Sequence, residues 1–300
     1  MRVPRRLAAR FRTDADFWRR ALEAGVTKGP EPWLRYSPPM FGLAFGAALG
    51  EQRRLVAESL RRIRGPVPKW REVAEVAGVF TNFASSMTEA MIAGARRGYR
   101  PVSRPVGDWH FMRAAARGGG VIVATAQTAG WDVAGSFLGS VLHLPSGPPE
   151  IWVLMAPEPD EASRARHDRY REATGVRIVH VGRDPLSSMP VLGHLRRGGI
   201  VALKFDRTHP GMRTREVTML GAPWSLPEGP LQLAALSGAP IVPVLTRRLG
   251  FMEYEVQSFP EITLARRASE ADKQAAAQRL ATILERFVRE HPTQWFPFGR

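Results

Sequence analysis

Residues 121–132 read VIVATAQTAGWD. The first five are apolar or β-branched without a polar interruption, the composition of a short strand buried in a sheet that helices cover. Working outward, the same kind of run returns at 151–155 (IWVLM), 177–181 (RIVHV), 200–205 (IVALKF) and 241–245 (IVPVL). Segments of helical length fall between them, at about 131–142, 159–173, 185–197 and 229–237. Strand and helix in regular alternation predict an α/β fold with a largely parallel central sheet covered by helices.

The flanks complete this unit. In the 70–97 segment Val73, Val76, Ala77, Phe80, Phe83, Ala84, Met87 and Met91 recur at helical spacing, which predicts one buried face rather than a cofactor box. At the other end Ser269 and Asp272 form the start of a capping box, Leu280, Ile283, Leu284, Phe287 and Val288 make one stripe, and Pro292 stops the helix. The break at 65–68 divides the chain into a basic helical N-terminal region, 1–65, and an α/β domain, 66–300.

The 300 residues are 44% hydrophobic and 24% charged, enough for a substantial core. Lys and Arg number 43 against 28 Asp and Glu, a formal charge of +15, so an anionic partner is expected. No nucleic-acid module is recognisable, which leaves a nucleic-acid partner supported by charge alone. With no cysteine there is neither a disulfide framework nor a thiolate nucleophile.

The longest apolar stretch, 39–50 (PMFGLAFGAALG), falls short of the roughly 20 residues that span a bilayer. In 1–65, Arg2, Arg5, Arg6, Arg10, Arg12, Arg19 and Arg20 alternate with Leu7, Phe11, Phe17, Trp18 and Leu22, and Arg53, Arg54, Arg61, Arg62, Arg64 and Lys69 continue the trend. Such a pattern suits a helix lying in a headgroup layer, or equally a solvated basic face packed on the main domain. No secretory h-region follows the basic start, so a peripheral protein on the cytoplasmic side of an anionic inner membrane is expected, as a monomer.

In an open α/β sheet, ligands gather beyond the carboxyl ends of the strands. Those positions hold Gln127, Trp131 and Asp132 after the first run, Gly182 and Arg183 after the third, and Asp206, Arg207, Thr208 and His209 after the fourth.

Here the chain resembles the lysophospholipid acyltransferase superfamily, in its lipid A lauroyl and myristoyl branch. There a histidine and an acid separated by four residues follow an early strand, the motif often reading His, any residue, Gly, Asn, Trp, acid. QTAGWD keeps the spacing, Trp131 and Asp132, but has Gln127 for the histidine and shifts the small residue. Arg183 stands where the superfamily has the arginine of its second motif, and Asp206 where this branch has an acid after the next strand. Residues 229–244 (GPLQLAALSGAPIVPV) and 291–296 (HPTQWF) resemble the branch's Gly-Pro helix and closing Gln-Trp signature. The resemblance spans roughly residues 40–300. Glu228, in a Pro-Glu-Gly sequence of another acyltransferase class, lies one motif too late and reads as a helix-start residue.

The resemblance implies attack by a hydroxyl on an acyl thioester carried by acyl carrier protein or coenzyme A, with no metal or redox cofactor. Histidine is the base in that scheme and the acid orients it; arginine suits a lipid phosphate. The implied reaction centre is therefore Gln127 and Asp132, with Arg183, Asp206, Trp131 and His209 toward substrate. Gln127 has no usable basicity. Asp132 acting as base, His209 approaching from its loop, or an amine acceptor would each compensate. A silent homologue that binds lipid or acyl carrier is the alternative. In structural terms Asp132 reads as a helix N-terminal acid, Asp206 as a turn residue, His180 as a core histidine, and Trp131 and Trp295 as packing.

Overall fold

The computed structural model describes residues 23–96, 98–132, 150–156, 161–182, 188–209 and 211–298. After helical residues 23–28 come α1 (Glu31–Ala48), α2 (Gly50–Arg64) and α3 (Lys69–Ala95). The alternating part runs β1 (Val102–Val106), α4 (Asp108–Ala115), β2 (Val121–Thr125), β3 (Ile151–Met155), α5 (Glu161–Glu172), β4 (Val176–His180), α6 (Met189–Arg196) and β5 (Ile200–Lys204). A hairpin of β6 (Thr214–Met219) and β7 (Ala222–Pro227) leads to α7 (Gly229–Ser237), β8 (Ile241–Gly250), β9 (Glu253–Ser258) and α8 (Glu270–Glu290).

The seven-stranded sheet has the order β1-β9-β8-β2-β5-β3-β4, and every neighbouring pair is parallel except β8 with β9. The α/β expectation stands. Of the expected helices, 229–237 is α7 and 159–173 contains α5; the 131–142 helix begins at Trp131 and Asp132, and the rest of it lies outside the described residues.

Alternation along the central strands sends side chains into two layers. Ile122, Ala124, Val201 and Ile241 meet Leu195 of α6, Leu231 and Ala234 of α7, and Leu280, Leu284 and Phe287 of α8. Val121, Val123, Ile200, Ala202, Val242 and Val244 meet Phe111 and Ala114 of α4 on the other side. Each fully buried aliphatic side chain contributes about 1.5–3 kcal/mol, so these layers carry the fold. The capping box of α8 forms as expected, Ser269 accepting from the Asp272 N–H while Asp272 accepts from Ser269.

The helices before the sheet pack on one another and on α5 and α8. Leu34, Pro38, Gly42 and Gly46, at every fourth position, form the buried ridge of α1. At Gly42 a Cβ would lie 2.6 Å from the Phe80 carbonyl oxygen of α3, so the close helix contact requires glycine there. One expectation is corrected. Val73 is 68% exposed; the buried stripe of α3 starts at Val76 and continues through Val79 and Phe80. Three arginines of the basic trend make contacts within the protein: Arg61 pairs with Glu72 at 2.7 Å, Arg64 pairs with Glu75, and Arg53 donates to the Gly46 and Ala47 carbonyls that end α1. Residues 1–22, with the remaining N-terminal arginines, lie outside the described residues.

Candidate active site

Register brings the loops after β2 and β5 together. The strands are parallel with Thr125 opposite Lys204, so Gln127 and Asp206 leave the sheet side by side. The Gln127 backbone N–H donates to both carboxylate oxygens of Asp206 at 3.1 Å, and the Trp295 indole Nε1 donates to Oδ2 at 2.8 Å. Asp206 is 6% exposed, and these donors replace the water that a buried carboxylate gives up. Beyond terminating a strand, it clasps three distant segments.

The chain after α8 forms the third segment. Trp295 bridges Thr128, the Ala129 N–H donates to the Gln294 carbonyl at 2.8 Å, and the Phe296 N–H donates to the Gln127 carbonyl at 3.0 Å. Arg207, next to Asp206, donates to the carbonyls of Phe296 and Phe298. Thr128 Oγ1, inside the loop, meets Thr246 Oγ1 of β8 at 3.0 Å. The QTAGWD turn is thus fixed on all sides by hydrogen bonds.

Gly130 has φ +83°, and a Cβ there would lie 2.2 Å from the Tyr254 ring. Under the loop, Tyr254 donates to Glu89, which also accepts from Arg248 Nη2 at 2.7 Å and from the Met252 N–H at 3.1 Å. Glu89 is 1% exposed, and burial together with this carboxylate pushes the Tyr254 hydroxyl well above its ordinary pKa. The network walls the loop from behind.

Around the loop, side chains of opposite charge converge. Arg171, in the last turn of α5, donates to Asp132 Oδ1 at 3.2 Å, with side-chain exposures of only 15% and 9%. Arg171 also stands over the Trp131 ring at 5.6 Å. Behind it Asp168 Oδ2 pairs with His180 Nε2 at 2.7 Å.

Lys204, the last residue of β5, completes the cluster. Its Nζ donates to Gln127 Oε1 and lies 3.4 Å from the Trp131 ring centroid. Loss of solvent, opposed by Asp132 and Asp206 and reinforced by Arg171 and Arg207, lowers the ammonium's pKa to about 8. The lysine is therefore close to its neutral form under mildly alkaline conditions.

The structure brings Gln127, Trp131, Asp132 and Asp206 together. Trp131 is buried beneath two cations and serves them as an aromatic platform. Arg183 lies outside the described residues. His209 is exposed, and its carbonyl accepts from the Met212 N–H at 3.0 Å; no hydrogen bond or ion pair joins its ring to the cluster among the described residues. Glu228 precedes α7, pairs with Arg215 at 2.6 Å, and lies with the hairpin rather than the cluster. Lys204, Arg171 and Glu89 went unnoticed in the sequence. The signal for Lys204 was there, a cation inside the otherwise apolar run IVALKF. No group of three His, Asp or Glu side chains among the described residues is placed to hold a metal ion.

The chain is 27% identical over 204 residues to the phosphatidylinositol mannoside acyltransferases of two Mycobacterium tuberculosis strains, H37Rv and CDC 1551. The match takes in 65% of this chain and 59% of those relatives, so it spans well under two thirds of their length. Among solved structures, the 1-acyl-sn-glycerophosphate (LPA) acyltransferase PlsC of Thermotoga maritima is a distant likeness, with TM-score 0.37 and 11% identity over 79% of this chain and 97% of that one. The model of the bacterial lipid A biosynthesis acyltransferase family matches residues 19–300, nearly the whole sequence, and the chain belongs to that family.

Proposed function

We propose that the protein transfers a fatty acyl group from a thioester, on acyl carrier protein or coenzyme A, to a hydroxyl of a lipid or lipid-like acceptor at an anionic membrane surface. The observation that carries this reading is the charged cluster of Asp132, Arg171, Lys204 and Asp206 around Gln127, built at the carboxyl ends of β2 and β5 where α/β sheets bind ligands. Family membership supports the acyl-transfer class, and the names of the mycobacterial relatives support a lipid acceptor.

The membrane location draws support from α1. Trp33, Tyr36, Met40 and Leu43 recur at three and four residues on the face opposite its buried ridge, and they are 48%, 62%, 68% and 50% exposed. No helix of the described residues is long and apolar enough to cross a membrane. A peripheral contact through this face fits both observations, and the cytoplasmic side is part of the proposal.

Gln127 favours a second reading, a homologue that binds acyl carrier or lipid without turning over. Purified protein incubated with an acyl thioester and lipid vesicles separates the two. Free thiol and acyl ester formed in equal amounts support the transferase; thioester bound but never cleaved supports the binding protein.

A further inference from the structure

We propose that Lys204 is the general base of this site, taking from the neighbouring strand the part that Gln127 cannot play. This rests on the acyl-transfer reading above. Three geometric observations carry it. Nζ of Lys204 reaches the side chain of Gln127 itself, the position at which a base is missing. The register of β2 and β5 makes this proximity a property of the sheet, because Lys204 faces Thr125 two residues before Gln127. And the amine is enclosed by Trp131, with its attachment to a buried strand leaving it little freedom to move away.

The charges facing Lys204 are Asp132 and Arg171 from one side and Asp206 and Arg207 from its own loop. The two carboxylates hold the proton on, but desolvation is the largest influence and draws the pKa down, which is how lysine becomes a usable base near neutral pH. The Gln127 amide oxygen accepts one N–H and so orients the amine; Gln127 is a positioning residue. Asp132, held by Arg171, faces the ammonium that forms.

The step balances. The acceptor hydroxyl gives its proton to neutral Nζ as its oxygen bonds to the thioester carbonyl carbon. The tetrahedral intermediate collapses with cleavage of the C–S bond, and the leaving sulfur takes the proton back from the Lys204 ammonium. The products are an ester, a free thiol and the neutral lysine.

The test compares acyl transfer by the full chain in wild type, Lys204→Met, Lys204→Arg and the double variant Lys204→Met with Gln127→His, each across pH 5.5–10. The wild-type kcat/KM should fall with decreasing pH below a limb at about 8. Both single variants should lose about 10²–10⁴ in rate, because arginine keeps the charge but cannot take a proton. The double variant should regain at least about tenfold over Lys204→Met, with its limb moved toward the ordinary histidine value of about 6.5. Lys204→Arg as active as wild type, or Lys204→Met active with the alkaline limb intact, overturns the base assignment while leaving the transferase reading in place. No transfer by wild type at any pH overturns the transferase reading and the base with it.

Discussion

The indole Nε1 of Trp295 and Oδ2 of Asp206 are joined by a 2.8 Å hydrogen bond between residues that are 2% and 6% exposed. The end of the chain thereby holds the loop that follows β5. Replacing Trp295 by Phe keeps an aromatic ring but removes the donor, leaving a buried carboxylate with one partner fewer. The expected cost is about 1–3 kcal/mol, read as a lower urea midpoint. Because both residues belong to one network, Trp295→Phe with Asp206→Asn should destabilise by less than the sum of the two single changes. Strict additivity would mean that the bond contributes nothing.

Gly130 offers a test of the loop's rigidity. Alanine there must adopt φ +83° and overlap the Tyr254 ring. The left-handed conformation alone costs about 1–2 kcal/mol. Gly130→Ala should therefore lower stability by at least about 1 kcal/mol and reduce transfer further, since Gln127 and Asp132 flank the strained residue. A variant as stable as wild type would show that the turn does not have this shape.

Lys204 also leaves a signature in stability. Its folded pKa of about 8 lies below the ordinary value of 10.5, so between these values the unfolded chain binds the extra proton. Stability contributed by this group therefore rises as pH increases from about 8 toward 10.5, and the burden of burying the charge is constant below that window. Subtracting the Lys204→Met profile of unfolding free energy isolates the term. The wild type should gain on the variant across this window; parallel profiles would contradict the shifted lysine.

The parts of this molecule that periodicity governs were legible in the sequence. β2 is apolar up to its β-branched Thr125 and β5 is apolar up to Lys204, and α7 begins at Gly229-Pro230 and ends at Gly238, which has the left-handed φ of +81°. The strands that escaped lack such runs. β1 reads VSRPV and is mostly exposed, β6 and β7 form a small hairpin outside the main sheet, and β9 (EYEVQS) alternates but carries two glutamates. For the site, Gln127, Trp131, Asp132 and Asp206 stand in a recognisable order along the chain. Lys204 and Arg171 do not, because their proximity comes from strand register and from the packing of α5, neither of which short-range sequence specifies. Trp295 could be read as packing, but its bond to Asp206, 89 residues away, could not.

The exposed face of α1 predicts how the protein meets a bilayer. Tyr36→Asp, Met40→Asp and Leu43→Asp together should weaken binding to anionic vesicles at least tenfold, about 1.4 kcal/mol, without moving the unfolding midpoint. Half or more of each of these side chains is already in solvent, so folding gains little from them. Unchanged vesicle binding in a folded triple variant would remove α1 from the membrane contact.

The central claim is that the cluster beside Asp132 performs acyl transfer. Its most direct measurement is the initial rate of acyl ester formation from an acyl thioester on acceptor-bearing vesicles, for wild type and for Asp132→Asn. Wild type should give ester and free thiol in equal amounts, with a loss of about 10²-fold or more in the variant, since the asparagine cannot stabilise the cation formed during transfer. Equal rates for the two proteins would contradict it.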